Sequence, residues 1–230
     1  MQAYVKLALG GGGGAEDSRP LDEAFAAWIR PEGRLLYWPV ALRGIRPLDT
    51  CLAWIEAIFA PLGVTDVTMW TELAEHQPGE IETFDGIYVG GGNTFSLLAE
   101  LRESGFDRAL RDYALSGGPV YGGSAGAAVL GCDIRTVSHL DANHIGLTDT
   151  RGLDLAGGHA VWVHYVPEDH ERIQAYVQER RQPVLAISER SGVAIDGDGM
   201  RGVGFEPAYR FAQRADEPVE LPTRLEKRGI

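Results

Sequence analysis

The chain has 230 residues, 44% of them hydrophobic, and a formal net charge of −12. That length and apolar content suffice for one sizeable α/β core. The acidity argues against nucleic acid as a partner, because phosphate backbones are bound by positive surfaces.

Two cysteines, Cys51 and Cys132, are too few for a disulfide framework and point to a reducing compartment. Cys132 falls in what reads as a buried helix after Ser124, as a small core residue rather than a catalyst. No apolar run reaches the roughly 18 residues that would span a membrane. The start, Met1-Gln2-Ala3-Tyr4-Val5-Lys6, lacks the layout of a signal peptide. The expectation is a soluble, cytoplasmic protein with no membrane partner.

Apolar runs and helical patterns alternate from the start. Residues 4–9 read as a strand, followed by the glycine run 10–14. Phe25 and Trp28-Ile29 give helix spacing over 21–29. A strand over 34–40, a helix over 48–59 stopped by Pro61 and Gly63, and a strand over 64–69 come next. The strand 84–89 runs into Gly90-Gly91-Gly92, and Asn93 is placed to cap a helix over 94–103. A further helix over 106–115 leads to the strand 119–121 and then to Gly122-Gly123-Ser124-Ala125-Gly126. Residues 136–155 are polar and turn-rich, an irregular excursion over the site. Strands over 160–164 and 184–187 flank a helix over 168–179, and 191–204 reads as a hairpin turning at Asp196-Gly197-Asp198-Gly199. This alternation predicts an α/β fold with a mainly parallel sheet flanked by helices on both faces. With no repeat or linker, residues 1–230 read as a single domain.

Ligands of such sheets bind at the carboxyl ends of the strands. Gly122-Gly123-Ser124-Ala125-Gly126 has the Gly-x-Ser-x-Gly form of a nucleophile elbow. Small neighbours let the serine sit on a sharp strand-to-helix turn, and the helix N-terminus favours developing negative charge. The N–H of Ala125 is one candidate oxyanion donor, and Gly91 or Gly92 offers the second. A glycine-lined turn whose serine merely caps a helix is the competing account of the motif. His164 follows the apolar run 160–163 and so emerges at a strand end, where a base must stand. His159 lies at the other end of that strand, His76 in a polar loop, and His170 on an exposed helix face. The base needs an orienting acid. Glu189 follows the 184–187 strand, and Asp133 and Asp141 are its rivals; spacing alone does not choose among them. His139, Asp141, His144 and Asp149 form a polar cluster whose spacing matches no zinc pattern, so no metal is expected.

Three segments carry a resemblance. Gly90-Gly91-Gly92-Asn93-Thr94-Phe95-x-Leu97-Leu98, Gly123-Ser124-Ala125-Gly126-Ala127 and Ile134-Arg135-Thr136 together resemble the peptidase E, or aspartyl dipeptidase, family and its cyanophycinase relatives. The resemblance implies a sheet related to class I glutamine amidotransferases, a serine nucleophile, no cofactor, a cytoplasmic setting and a short peptide as substrate. Ser124 matches the family's nucleophile and His164 its histidine. In the enterobacterial dipeptidases an Asp shortly after Ile-Arg-Thr is the acid. That place here holds His139, with Asp141 two residues on. In cyanophycinase-like members a Glu after the next apolar strand takes the role, and Leu185-Ala186-Ile187-Ser188-Glu189-Arg190-Ser191-Gly192 resembles that segment. Glu189 is therefore preferred, with Asp141 as the alternative. Gly91, Asn93, Thr94 and Arg135 are expected to bind substrate. Arg135, Arg172 and Arg190 are the cations available to read a substrate aspartate.

The leading expectation is thus a serine peptidase acting on dipeptides or short peptides with N-terminal aspartate. A cyanophycinase-like hydrolase of β-linked Asp-Arg peptides is the same-chemistry rival. A non-catalytic nucleotide- or ligand-binding relative is the rival of another class, since Gly10-x-Gly12 also has the form of a dinucleotide loop. Against that rival, the glycine run is expected to border the peptide site.

Overall fold

A computed structural model describes residues 4–213 and 217–223. Its main sheet has, among the described residues, seven strands in the order β3-β2-β4-β5-β1-β8-β9. These are β1 (Lys6–Gly10), β2 (Arg34–Trp38), β3 (Asp66–Met69), β4 (Gly86–Val89), β5 (Pro119–Gly123), β8 (Ser191–Asp196) and β9 (Gly199–Gly204). The first five run parallel. The hairpin β8–β9 closes one edge antiparallel to β1.

Helices cover both faces. On one, α1 (Ala15–Ala26) and α2 (Asp49–Phe59) bury Leu21, Phe25, Ile55 and Phe59 against Tyr37, Tyr88 and Tyr121 of the strands. On the other lie α3 (Thr94–Ser104), α4 (Phe106–Leu115) and α5 (Ala125–Leu130). Every residue of α5 is buried. Its Ala-Gly-Ala-Ala start lets it pack between β5 and the strand β6 (Ala160–Trp162). Apolar strands alternating with amphipathic helices give this layering because each sheet face needs a helix stripe over it.

Two expectations are corrected in this half. The helix expected over 21–29 begins at Ala15, because Pro20 is accommodated inside it rather than near its start. Asp17 Oδ2 accepts from Gly14 N at 3.2 Å and starts the helix at the end of the glycine run. Cys132 lies beyond α5, which stops at Leu130; it is half-buried, and its thiol donates to Gly158 O at 3.3 Å.

Four strands of the later half do not extend the main sheet. Instead β6 pairs in parallel with β7 (Val184–Ala186), which follows α6 (His170–Arg180). β10 (Tyr209–Phe211) and β11 (Val219–Glu220) complete a second sheet in the order β11-β10-β7-β6. The segment between α5 and β6 has a short 3-10 turn at Ile134–Val137 and then loops. It is pinned by Thr136 Oγ1 to Val161 O at 2.6 Å and by Arg102, which donates to Asp149 O and Arg151 O, each at 2.6 Å.

Candidate active site

A cleft of about 940 Å³ opens at the carboxyl ends of β1, β4 and β5 and is bordered by both sheets. Ser124 stands on it with φ 51° and ψ −111°, a backbone state rare for a non-glycine residue. The turn is so tight that a Cβ at Gly126 would lie 2.1 Å from Val89 O, and one at Gly122 would lie 2.6 Å from Gly126 C. Those glycines are required by close backbone approach. Ser124 N donates to Gly10 O at 3.0 Å, which locks the elbow to β1.

His164 follows β6 by two residues, also at positive φ (52°), and its N–H donates to Gly11 O at 3.0 Å. Its Nε2 lies 2.8 Å from Ser124 Oγ, and its Nδ1 lies 2.9 Å from Glu189 Oε1. An Nδ1–H donated to the carboxylate leaves Nε2 as the acceptor for the serine hydroxyl. Glu189 sits on the turn after β7, with its side chain 60% exposed. Two strands of the second sheet, β6 and β7, therefore deliver the imidazole and the carboxylate to a serine held by the first.

The glycine run 10–14 borders the same cleft. A Cβ at Gly12 would fall 2.3 Å from His164 Cε1, at Gly11 1.9 Å from Ser188 O, and at Gly13 2.2 Å from Glu189 O. The close approach that glycine permits is thus taken up by the protein's own imidazole and by the turn carrying Glu189. That removes the main support for a dinucleotide loop, since a pyrophosphate would need that space.

The other expected site residues separate into those on the cleft and those off it. Gly91, Gly92, Asn93, Thr94 and Asp141 line it. A Cβ at Gly91 would stand 3.2 Å from Ser124 Cβ, whereas Gly92, at φ 130°, packs its Cα on the Ala41–Leu42 backbone. Ala125 N begins α5, where an N–H has no partner inside the helix. Asn93 caps α3: its Oδ1 accepts from Ser96 N at 3.0 Å and its Nδ2 donates to Ala142 O at 3.0 Å. Asp141 Oδ2 accepts from Thr94 N at 2.8 Å, so this acid serves the start of α3 and not His164. The buried Thr94 Oγ1 has no hydrogen-bond partner among the described residues.

Arg135 is off the cleft, contrary to expectation. Its Nε donates to both oxygens of the buried Asp133, at 3.0 and 2.8 Å. Burial raises the Asp133 carboxyl, but the Arg135 bonds outweigh it and hold the group below its ordinary range. Arg172 pairs with Asp169 at 3.4 Å, and Arg190 lies 3.5 Å from Asp17 and over the Phe205 ring. Among the described residues, Arg46 is the one arginine or lysine that lines the cleft. Motif reading missed it because it lies in the irregular stretch before α2.

The remaining titratable candidates are dispersed. His139 stacks on Trp162 with centroids 4.4 Å apart, and Asp149 pairs with Arg151 at 2.6 Å. His76 is half-buried and stacked on Trp70 at 3.8 Å, not on the open surface, because the loop folds it over the indole. His170 is likewise half-buried, edge-on to Phe211. The buried His159 lies before β6 and its Nδ1 meets Ala156 O at 2.9 Å. Burial, with Asp154 and Asp133 nearby, pushes the Cys132 thiol up to about 11, which makes it a poor nucleophile. No helix among the described residues is long and apolar enough to cross a membrane.

Peptidases resemble this chain in sequence and in fold. Peptidase E of Streptomyces coelicolor is 30% identical over 203 residues, which cover 82% of this chain and 78% of that one. Peptidase E of Shewanella denitrificans is 30% identical over 176 residues, 74% of each chain. A crystal structure of a candidate peptidase E from Listeria monocytogenes superposes with a TM-score of 0.71 at 26% identity, covering 89% of this chain and all of that one. A peptidase from an acI-B1 actinobacterium, with a TM-score of 0.70 at 16% identity and 96% of each chain covered, shares the fold. The model of peptidase family S51 matches residues 7–203, and the chain belongs to that family of hydrolases.

Proposed function

We propose that this peptidase hydrolyses dipeptides or short peptides with an N-terminal aspartate through the triad Ser124, His164 and Glu189. The observation that carries the reading is the unbroken line from Ser124 Oγ through the imidazole to Glu189 Oε1, at 2.8 and 2.9 Å. Ser124 Oγ attacks the carbonyl carbon while His164 Nε2 takes its proton. The N–H groups of Ala125 and of Gly91 or Gly92 stabilise the oxyanion. The intermediate collapses as Nε2 returns the proton to the leaving amine. Water, deprotonated at Nε2, then cleaves the acyl-enzyme and regenerates the serine. Glu189 keeps the proton on Nδ1 and stabilises the imidazolium.

We read the chain as one catalytic unit, since the serine follows a strand of one sheet and its partners follow strands of the other. Two free cysteines suit a cytoplasmic setting. The aspartate preference draws on the peptidase E relatives and on Arg46, the one arginine or lysine among the described residues that lines the cleft. The test is a panel of Asp-X, Glu-X and neutral dipeptides beside β-linked Asp-Arg. Fastest turnover of Asp-X supports the reading. Preference for β-Asp-Arg transfers it to cyanophycinase-like hydrolysis, and absence of turnover on every member defeats it.

A further inference from the structure

Of the buried acids that the mechanism leaves unused, Asp133 and Asp169 are paired with Arg135 and Arg172, whereas Asp22 is held by hydroxyls. Asp22 of α1 is 2% exposed, although it stands on the apolar face formed by Leu21, Phe25 and Ala26. Ser18 Oγ donates to its Oδ2 at 2.8 Å, and the Tyr121 hydroxyl interacts with it from β5. The charged side chain acting on it is Glu23, another acid, and no cation among the described residues is paired with it. Burial pushes its carboxyl up to about 6.

Asp22 lies directly behind the cleft wall. Ser18 and Tyr121 line the cleft, together with Tyr37, Trp54 and Tyr88. Tyr88 and Tyr121 stack at 4.2 Å, and Tyr37 meets Tyr88 edge-on at 5.4 Å. This aromatic floor lies under the nucleophile. A Cβ at Gly123, the residue before Ser124, would be 3.0 Å from the Tyr88 hydroxyl, and one at Gly10 would be 3.0 Å from that of Tyr121.

Each part of this floor attracts positive charge. The Ser18 hydroxyl, with its hydrogen turned to Asp22, presents lone pairs to the cleft. The Tyr88 and Tyr121 hydroxyl oxygens, each 3.0 Å from a Cβ position at Gly123 or Gly10, add lone pairs beneath the nucleophile. An uncompensated buried carboxylate gains most from an incoming cation. The exposed Arg46 lines the cleft from the segment before α2 and acts on Tyr37 and Cys51, not on Asp22.

We propose that Ser18, Asp22, Tyr88 and Tyr121 form the subsite for the protonated α-amine of the residue whose carbonyl Ser124 attacks. This rests on the hydrolytic reading above and assigns the residues that read the free amino terminus. Position selects the ligand. An α-amine is two bonds from the attacked carbon and so falls beside the residues flanking Ser124. A guanidinium at the tip of a side chain would lie much farther away.

The test separates binding from turnover. Calorimetry on Ser124→Ala protein compares Asp-Leu with N-acetyl-Asp-Leu, neither of which is cut. The free amine should bind about tenfold tighter or better, the range of a charge-assisted hydrogen bond. Adding Asp22→Asn should bring the two ligands within about threefold, and Ser18→Ala, at a half-exposed position, should narrow the gap partway if Asp22→Asn fails to fold. Equal binding before the second substitution, no binding of the free form, or a preference that survives both second substitutions overturns the proposal. Wild-type turnover is read separately. Selective binding without turnover defeats the hydrolytic reading alone, and turnover with equal binding defeats the subsite alone.

Discussion

The two ends of the Ser124–His164–Glu189 line are built differently. The serine end is fixed by backbone: Gly122 and Gly126 are pressed onto Val89 and the first turn of α5, and Ser124 N is tied to Gly10 O. The acid end is a turn after β7 with its carboxylate largely in solvent. What holds that end is the glycine run 10–14, threaded between His164, Ser188 and Glu189. The position of Ser124 is thus a property of the core, whereas the alignment of His164 and Glu189 is a property of one loop. Perturbations of the first should cost stability, and perturbations of the second should cost rate.

The largest expected effect is that of Ser124→Ala, which should lower turnover by about 10⁴–10⁶ with the fold retained. Steady-state kinetics with circular dichroism checks it. Next come Glu189→Gln and Asp141→Asn as a pair. The first should cost about 10²–10⁴ in kcat, because it loses the charge and the tautomer control behind His164. The second should cost less than about tenfold in rate and about 0.3–1 kcal/mol in stability, since a carboxylate leaves the start of α3. The reverse order of rates would show that the acid is Asp141.

Gly12→Ala and Gly126→Ala sharpen the comparison further. At Gly12, whose φ is +109°, a methyl is strained on the backbone and also meets the tip of the His164 ring, so about 10²-fold in rate should be lost together with about 1 kcal/mol or more of stability. At Gly126 it meets the Val89 carbonyl, so about 1–3 kcal/mol of stability should be lost. Denaturant melts beside kinetics read both. A rate loss at Gly12 no larger than that at Gly126 would erase the distinction between core and loop.

The last effect is on the pH dependence of stability. The Asp22 carboxyl is raised on folding from 3.8 to about 6, by burial first. The folded state therefore holds this proton more tightly. Its contribution to stability is full below pH 3.8 and is lost as pH rises through about 6. Two pKa units correspond to an upper figure of about 3 kcal/mol. Asp22→Asn should flatten the stability profile over that window. Urea melts at several pH values test this, and identical slopes for both proteins would contradict it.

Much of this was legible in the sequence, for identifiable reasons. Ser124, His164 and Glu189 each follow an apolar strand, and strand ends are where a parallel sheet gathers polar groups. Helix α4 was read with its bounds, since Phe106, Leu110, Tyr113 and Ala114 repeat at helical spacing. What was not legible depends on partners distant in sequence. An apolar run says that β6 and β7 are strands but not which sheet they join. Arg135 belongs to a motif yet is bound by Asp133, a choice that burial makes and spacing does not show. Asp22 left one readable trace, an acid on the apolar face of α1 four residues after Ser18.

Covalent trapping tests the central claim most directly. A fluorophosphonate reacts with a serine only where a base removes its proton, and peptide mass mapping locates the adduct. Labelling should fall on Ser124 alone and be absent in Ser124→Ala. It should slow by about 10²-fold or more in Glu189→Gln while staying near the wild-type rate in Asp141→Asn. An adduct on another residue, or a Ser124 labelling rate indifferent to Glu189, would contradict a serine activated through His164 and Glu189.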